Sequence, residues 1–325
     1  MQASKYMYAG VRAQALSHNL LTEIDLERLL TANNADEALL VLQDTFLAPY
    51  LAKYESDLAH ATDDSVSEAK HLLASIAPDP KLLDLLWIKY DFYNLRTIVK
   101  GLRAEQTHDE ILTNCFSTGT LSPSVLLKAV ESGTLSTYMP SLSEAHSQAV
   151  SVATAYEIDI VVEVQYFKAL LELSKNSHNK FAMDYVEMHI DLFNIKTHLR
   201  SLHLKDLRIR EIFVEGGTLG KRSFTSEDTI LETLLTYAGK SEKWNEAITE
   251  YRDNGSFTLI DKAAEEHIGN FLKTESQKDL FSVAPLFAYF FAQKNHIQII
   301  RAIVRAKQAG IPEAELRFIL RQLYV

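Results

Sequence analysis

The sequence predicts an all-α protein built from three similar helical bundles, and three observations carry that reading. Glycine (11) and proline (7) are scarce in 325 residues, near half their usual frequency or less. Between Pro140 and Gly216 neither occurs, and a stretch that long without a backbone breaker folds readily as helix and poorly as sheet. Third, one helical segment is written three times. Asn94, Asn194 and Asn295 stand 100 and 101 residues apart, each followed six residues later by a base: Lys100, Arg200 and Arg301. A self-match at a fixed period marks one structural unit used repeatedly.

Taken in order, the chain opens with Met1-Gln-Ala-Ser-Lys-Tyr-Met-Tyr, which lacks the apolar run of a signal peptide. Thr22 and Asp25 precede an apolar run to Leu30 and cap a first helix, and a second helical pattern follows from Asp36 to Thr45. A continuous helical stretch is expected over 48–77, entering the first Asn helix at about 84–104. There Trp87, Tyr90, Asp91, Asn94, Leu95, Ile98 and Leu102 share one face, with Lys89, Tyr93, Arg96, Lys100 and Arg103 beside it. Asp91 and Asn94 therefore lie within an apolar face. Each costs a few kcal/mol unless hydrogen-bonded, so partners on neighbouring helices are expected.

Gly119-Thr-Leu-Ser122-Pro123 then leads into a helix at Val125–Val130, and a second continuous stretch runs over 143–177. The second copy carries Ile190, Asp191, Asn194, Ile195, Leu199 and Leu202, flanked by Lys196 and Arg200. It is followed by Gly217-Thr-Leu, by a helix from Ser226 to Leu235, and by a third long stretch over 256–278. The third copy keeps Asn295, Ile299, Arg301 and Ile303 but has Ala292 where the acid should be, and Gly310-Ile-Pro312 starts one more helix towards Leu320. The half-unit missing there resembles the first capped helices of the chain. The N-terminal segment is therefore expected to complete the third unit, giving units of about 78–177, 178–278, and 279–325 with 1–77, in a closed pseudo-three-fold arrangement and not an open solenoid.

A formal charge of −10 argues against a general nucleic-acid binder, which needs a basic surface. The lone Cys115 excludes an intramolecular disulfide and fits a reducing compartment. The most apolar segment, Val283–Ala292, is half the ~20 residues a spanning helix requires, so a cytoplasmic chain that does not cross a bilayer is expected.

The D-x-x-N pairs read best as buried polar clips; the competing reading makes Asp91 or Asp191 the general base of a helical hydrolase. Glu215-Gly-Gly-Thr-Leu-Gly-Lys-Arg-Ser223 falls short of a phosphate loop, with the first Gly one residue too close and Arg222 where a hydroxyl should hold magnesium. The eleven histidines form no metal motif, and neither a serine elbow nor a second thiol is present. Cys115 reads as packed, and the aromatic run Phe281–Phe291 as core. The basic stripe Lys89-Arg96-Lys100-Arg103, echoed by Lys196 and Arg200, reads as a solvated face or as one turned to a partner or cavity.

Tyr6-Met-Tyr8-Ala-Gly-Val-Arg12-Ala, Leu29-Leu30 with Glu37-Ala and Leu42-Gln-Asp-Thr45, Asp91-Phe-Tyr-Asn94-Leu-Arg96 and Asp191-Leu-Phe-Asn194-Ile-Lys196 together resemble the C subunits of the V-type (A-type) rotary ATPases, or ATP synthases, whose eukaryotic vacuolar counterpart is the d subunit. The resemblance runs from Tyr6 to Leu320. It implies a funnel of three helical bundles in the central rotor stalk, without catalytic residues, cofactor, metal or small-molecule substrate. Its partners would be the D and F subunits of the shaft and the proteolipid ring of the membrane sector, placing the chain at the cytoplasmic face of a membrane. An all-helical scaffold or adaptor is the alternative.

Overall fold

The structure, a computed structural model, describes residues 3–204, 212–237, 239 and 241–317. Among them every regular element is helical. The first five helices are α1 (Ala3–Ser17), α2 (Glu23–Thr31), α3 (Ala35–Leu42), α4 (Ala48–Lys53) and α5 (Leu58–Ile76). The middle of the chain forms α6 (Asp84–Arg103), α7 (His108–Thr113), α8 (Pro123–Glu131), α9 (Pro140–Ser151), α10 (Ala155–Ser177) and α11 (Lys180–Leu204). A 3-10 turn, Lys221–Phe224, precedes α12 (Glu227–Tyr237), α13 (Glu242–Asn254), α14 (Thr258–Lys278) and α15 (Ala284–Gln308). Residues 318–325, which include the expected helix end at Leu320, lie outside the described residues.

Two of the long helical stretches expected from the sequence are interrupted. Over 48–77 the chain breaks at Glu55 and Ser56, both at positive φ (49° and 69°), and restarts where the Asp57 carboxylate accepts from the Ala59 and His60 amides. Over 143–177 it breaks after α9 and restarts at Thr154, whose hydroxyl accepts from Glu157 N while Glu157 reaches back to the Thr154 amide. Capping supplies donors and acceptors to helix ends that would otherwise be unpaired, so a break needs neither Gly nor Pro. The third stretch is one helix, α14. None of the described helices is long and apolar enough to cross a membrane.

The chain divides into two compact units, Asp79–Ile230 and Met1–Pro78 with Leu231–Val325. In the first, α10 packs on α6, α9 and α11, and α6 also on α7, α8 and α9. Its core is Trp87, Ile88, Leu95 and Ile98 of α6 against Ile158, Val162 and Leu170 of α10, with Val186, Ile190, Ile195 and Leu199 of α11 also buried. Phe92, Tyr166, Phe167 and Phe193 form a chain of edge-on and tilted ring contacts through it.

In the second unit α15 is the hub, packing on α1, α14, α5, α3 and α2. Leu29, Leu30, Leu42, Leu47 and Leu51 from the start of the chain join Ile300, Ile303, Val304 and Leu316 from its end in one buried cluster. Polar contacts bind the same segments: Lys307 Nζ donates to the Leu30 carbonyl at 2.6 Å and to that of Ala32, at the end of α2. Arg317 forks onto both oxygens of Glu27, at 3.0 and 2.7 Å. A cation on the last carbonyls of a helix is favoured by their partial negative charge.

Candidate functional site

Asp91 and Asn94 are completely buried on α6, and the loop that returns over the helix satisfies both. The Asn94 amide clamps one residue on both sides, donating to Phe116 O and accepting from Phe116 N, each at 2.8 Å. One oxygen of Asp91 accepts from Thr120 N at 3.0 Å and from the Thr120 hydroxyl at 2.6 Å; the other accepts from Leu121 N at 3.0 Å.

On α11 the arrangement recurs. Asn194 donates to Val214 O at 2.8 Å and accepts from Val214 N at 2.9 Å. Asp191 accepts from the Thr218 amide (2.9 Å), the Thr218 hydroxyl (2.6 Å) and the Leu219 amide (3.0 Å). The glycine before each threonine is fixed by the same contact: a Cβ on Gly119 would lie 2.2 Å from Asp91 Oδ1, and one on Gly217 2.1 Å from Asp191 Oδ1.

The partners are thus loop backbones, where neighbouring helices were expected. The reason is supply: amides inside a helix are already bonded to carbonyls four residues back, whereas those of a loop are free to meet a buried anion. Phe116, Val214, Thr120 and Thr218 were not legible as site residues, although the repeated Gly-Thr-Leu after each D-x-x-N was the available signal. The same contacts dispose of the phosphate-loop lookalike, whose Thr218 and Leu219 amides are spent on Asp191.

Part of the basic stripe is used internally. Lys100 Nζ lies 2.5 Å and Arg96 Nε 3.4 Å from Asp159 Oδ1 of α10. Arg103 donates to the carbonyls of Ala149, Val150 and Ala153 at the end of α9. Lys196 belongs to the same charged interior, and Arg200 is exposed on α11. Burial pushes Glu163 of α10 above the usual carboxylate range, although Arg96, Lys196 and Lys89 pull it back down. Burial likewise depresses His189 of α11 to about 4, helped by Lys89 and Lys196 and opposed by its hydrogen bond to the Tyr185 carbonyl. Lys100 and Arg96 are thus paired and half-buried, while Arg103 and Arg200 stay exposed, as a solvated face would have them.

In the third copy Arg301 does the work of Lys100. Its Nε donates to Thr62 Oγ1 at 2.8 Å and its Nη2 reaches Asp63 Oδ1 at 2.7 Å, five and six residues past the α5 cap as Asp159 is five past that of α10. Ala292 and Asn295, by contrast, face a cavity of about 530 Å³.

Among the described residues no group of three or more His, Cys, Asp or Glu is placed to hold a metal ion. The Cys115 thiol, pushed up to about 11 by burial, donates weakly to the Ile111 carbonyl, so it is a poor nucleophile at neutral pH.

Comparison with known proteins agrees with the resemblance read from the sequence. The model of the ATP synthase (C/AC39) subunit family matches residues 10–318. The chain is 24% identical to the C subunit of the A-type ATP synthase of Pyrococcus abyssi, over 98% of this chain and 90% of that protein. It is 21% identical to the C subunit of the V-type ATP synthase of Deinococcus radiodurans, over 96% and 90%. With the C subunit of the V-type sodium ATPase of Enterococcus hirae it shares 20% identity over 94% of each.

Proposed function

Because the chain belongs to the ATP synthase (C/AC39) subunit family, we propose that it is the non-catalytic central-stalk subunit of a rotary V-type or A-type ATPase. It couples the rotating shaft, made of the D and F subunits, to the proteolipid ring during ATP-linked H+ or Na+ transport. It works at the cytoplasmic face of the membrane, held there through the complex. Three repeat units of about 78–177, 178–278, and 279–325 with 1–77 form the funnel that seats the shaft.

The observation that carries this reading is the family match over nearly the whole chain. The chemistry of the repeat supports it. Asp91 and Asp191, the acids best placed for a base, each meet three donors. A carboxylate so engaged stiffens the helix-to-loop joint, which suits a part under torque, and has little left for proton transfer. α1 also turns its small residues Ala9 and Ala13 inward and leaves Met7, Tyr8 and Val11 exposed, a face suited to contact with another protein of the complex.

The test is size-exclusion chromatography of the purified chain with the D/F pair, and separately with the ring in detergent, at low salt. Co-elution with each and no ATP turnover by the chain alone are expected. Failure to co-elute with either would sink the coupling role. Turnover that disappears in a folded Asp91→Asn/Asp191→Asn variant would instead favour a hydrolase.

A further inference from the structure

The third repeat keeps the clamping amide, but among the described residues nothing is clamped by it. In the second copy the returning loop occupies the groove between α10 and α11. Its Gly216 lies so close to Leu171 that a Cβ would come 2.3 Å from the leucine Cδ2, and its Gly217 rests on Asp191. Moving Leu171, Asp191 and Asn194 forward by the 101-residue repeat gives Leu272, Ala292 and Asn295. These three line a single cavity between α14 and α15. It is the same groove, and Asn295 has no hydrogen-bond partner there among the described residues.

The chain's own matching segment is engaged elsewhere. Phe116 and Val214 lie 22 and 20 residues after their asparagines. At that distance from Asn295 stand Glu315 to Arg317. Leu316 is buried in the cluster with Leu29 and Leu30, and Arg317 forks onto Glu27. Nor can a second copy lend a loop of this kind from the described residues, since both such loops are clamped in place by their own Asp and Asn.

Charge narrows the occupant further. With alanine at 292 the groove has no acid where the other copies hold the loop threonine. Its rim carries Lys243, Lys262 and Lys273 against Glu265 and Glu266. Lys243 and Lys262 both reach Glu266, at 2.8 and 3.9 Å, whereas Lys273, exposed on the same rim, makes no ion pair among the described residues. A carboxylate is the complement such a rim lacks.

We infer that this groove receives an extended segment of a partner protein, with one peptide unit on the Asn295 amide, an apolar side chain against Leu272 and Phe291, and an acidic side chain at the lysine rim. The inference stands apart from the coupling role, because it is read from the repeat alone and not from the family. Backbone clamping by the amide makes recognition depend on an extended shape more than on sequence.

The test uses the full chain and a synthetic peptide of its own second loop, Ile212–Gly220, which carries the clamped Val214 followed by Glu215. Titration followed by NMR should shift the Asn295 side-chain amide and the Leu272 and Ile299 methyl groups. Asn295→Ala should weaken binding about tenfold, the value of one good buried hydrogen-bonding pair. Ala292→Asp should tighten it about tenfold by restoring the acceptor for the peptide threonine, a gain that a merely sticky groove would not show. Lys273→Glu, on the exposed rim, should weaken it about threefold and keeps the question open to decision if Ala292→Asp folds poorly. No shift at about millimolar peptide, or equal affinity in all variants, would overturn the inference. So would a change in the signals of residues 318–325 on Asn295→Ala without peptide, which would give the groove to the chain's own end.

Discussion

A carboxylate out of reach of water persists only where donors meet its oxygens, and Asp91 shows how narrowly this is arranged. Three donors come from Thr120 and Leu121, and the missing Cβ of Gly119 lets the loop close on them. Asp91→Ala should therefore cost about 2–4 kcal/mol, since it strands two amides and a hydroxyl. Gly119→Ala should be comparably harmful alone yet much milder in the Asp91→Ala background, because the clash is with the carboxylate itself. Urea unfolding of the four proteins gives the coupling, expected at about 1–3 kcal/mol; additivity would place the role of Gly119 elsewhere. The D-x-x-N spacing was legible because both residues sat within an apolar stripe, while the loop was not, having no periodicity to betray where it returns. His189 makes a second case. The unfolded chain protonates it near 6.5 and the fold only near 4, so between those values the unfolded state holds more proton and stability rises with pH. The contribution is fully present above about 6.5 and is lost as pH falls, the loss reaching about 3 kcal/mol near pH 4. Subtracting the stability curve of His189→Gln from that of the wild type should leave this slope; a flat difference would show that the ring is not protonated less readily in the fold.

Among the elements, legibility followed the kind of signal each one leaves. The Asn helices were legible because their apolar positions repeat over twenty or more residues, and α6 spans Asp84–Arg103. The breaks that separate α4 from α5 and α9 from α10 were hidden because no Gly or Pro marks them. The signatures are subtler: Thr154 with Glu157 three residues on, the same pattern as Thr22 and Asp25, at one break, and the capping carboxylate of Asp57 at the other. Both breaks have a use in the packing. Restarting α10 at Thr154 places Asp159 in its second turn, within reach of Lys100 and Arg96. Restarting α5 after Asp57 does the same for Thr62 and Asp63 with Arg301. A base six residues past each of these two asparagines thus pins the first turns of a long helix, which explains why its charge is kept while its identity shifts between Lys and Arg. The third base, Arg200, is exposed on α11. The internal use of the basic stripe was not legible, because periodicity tells which residues share a side and not what lies opposite.

At the scale of the whole chain, sequence repeats and compact units need not coincide. α10 packs on α6 behind it and on α11 ahead of it, so one long helix serves two copies and no boundary falls at their junction; both clips lie inside the unit Asp79–Ile230. In the other unit, residues from both ends of the sequence join in one buried cluster. That union is expensive to form. Lys307 and Leu30 are 277 residues apart, Arg317 and Glu27 290, whereas the clips close loops of 20–30 residues. Long closures cost more entropy before any contact rewards them, so the contiguous unit should form first and the joined ends should open first. Leu29, fully buried in the cluster that joins them, is the place to ask. Leu29→Ala should lose about 2–5 kcal/mol, as large-to-small changes in a packed core do. Hydrogen exchange should then quicken at Ile300–Val304 of α15, with the amides of α6 around Asn94 as protected as before. Equal loss of protection in both helices would mean that the two units open together, and the ends would then be no weaker a joint than the clips.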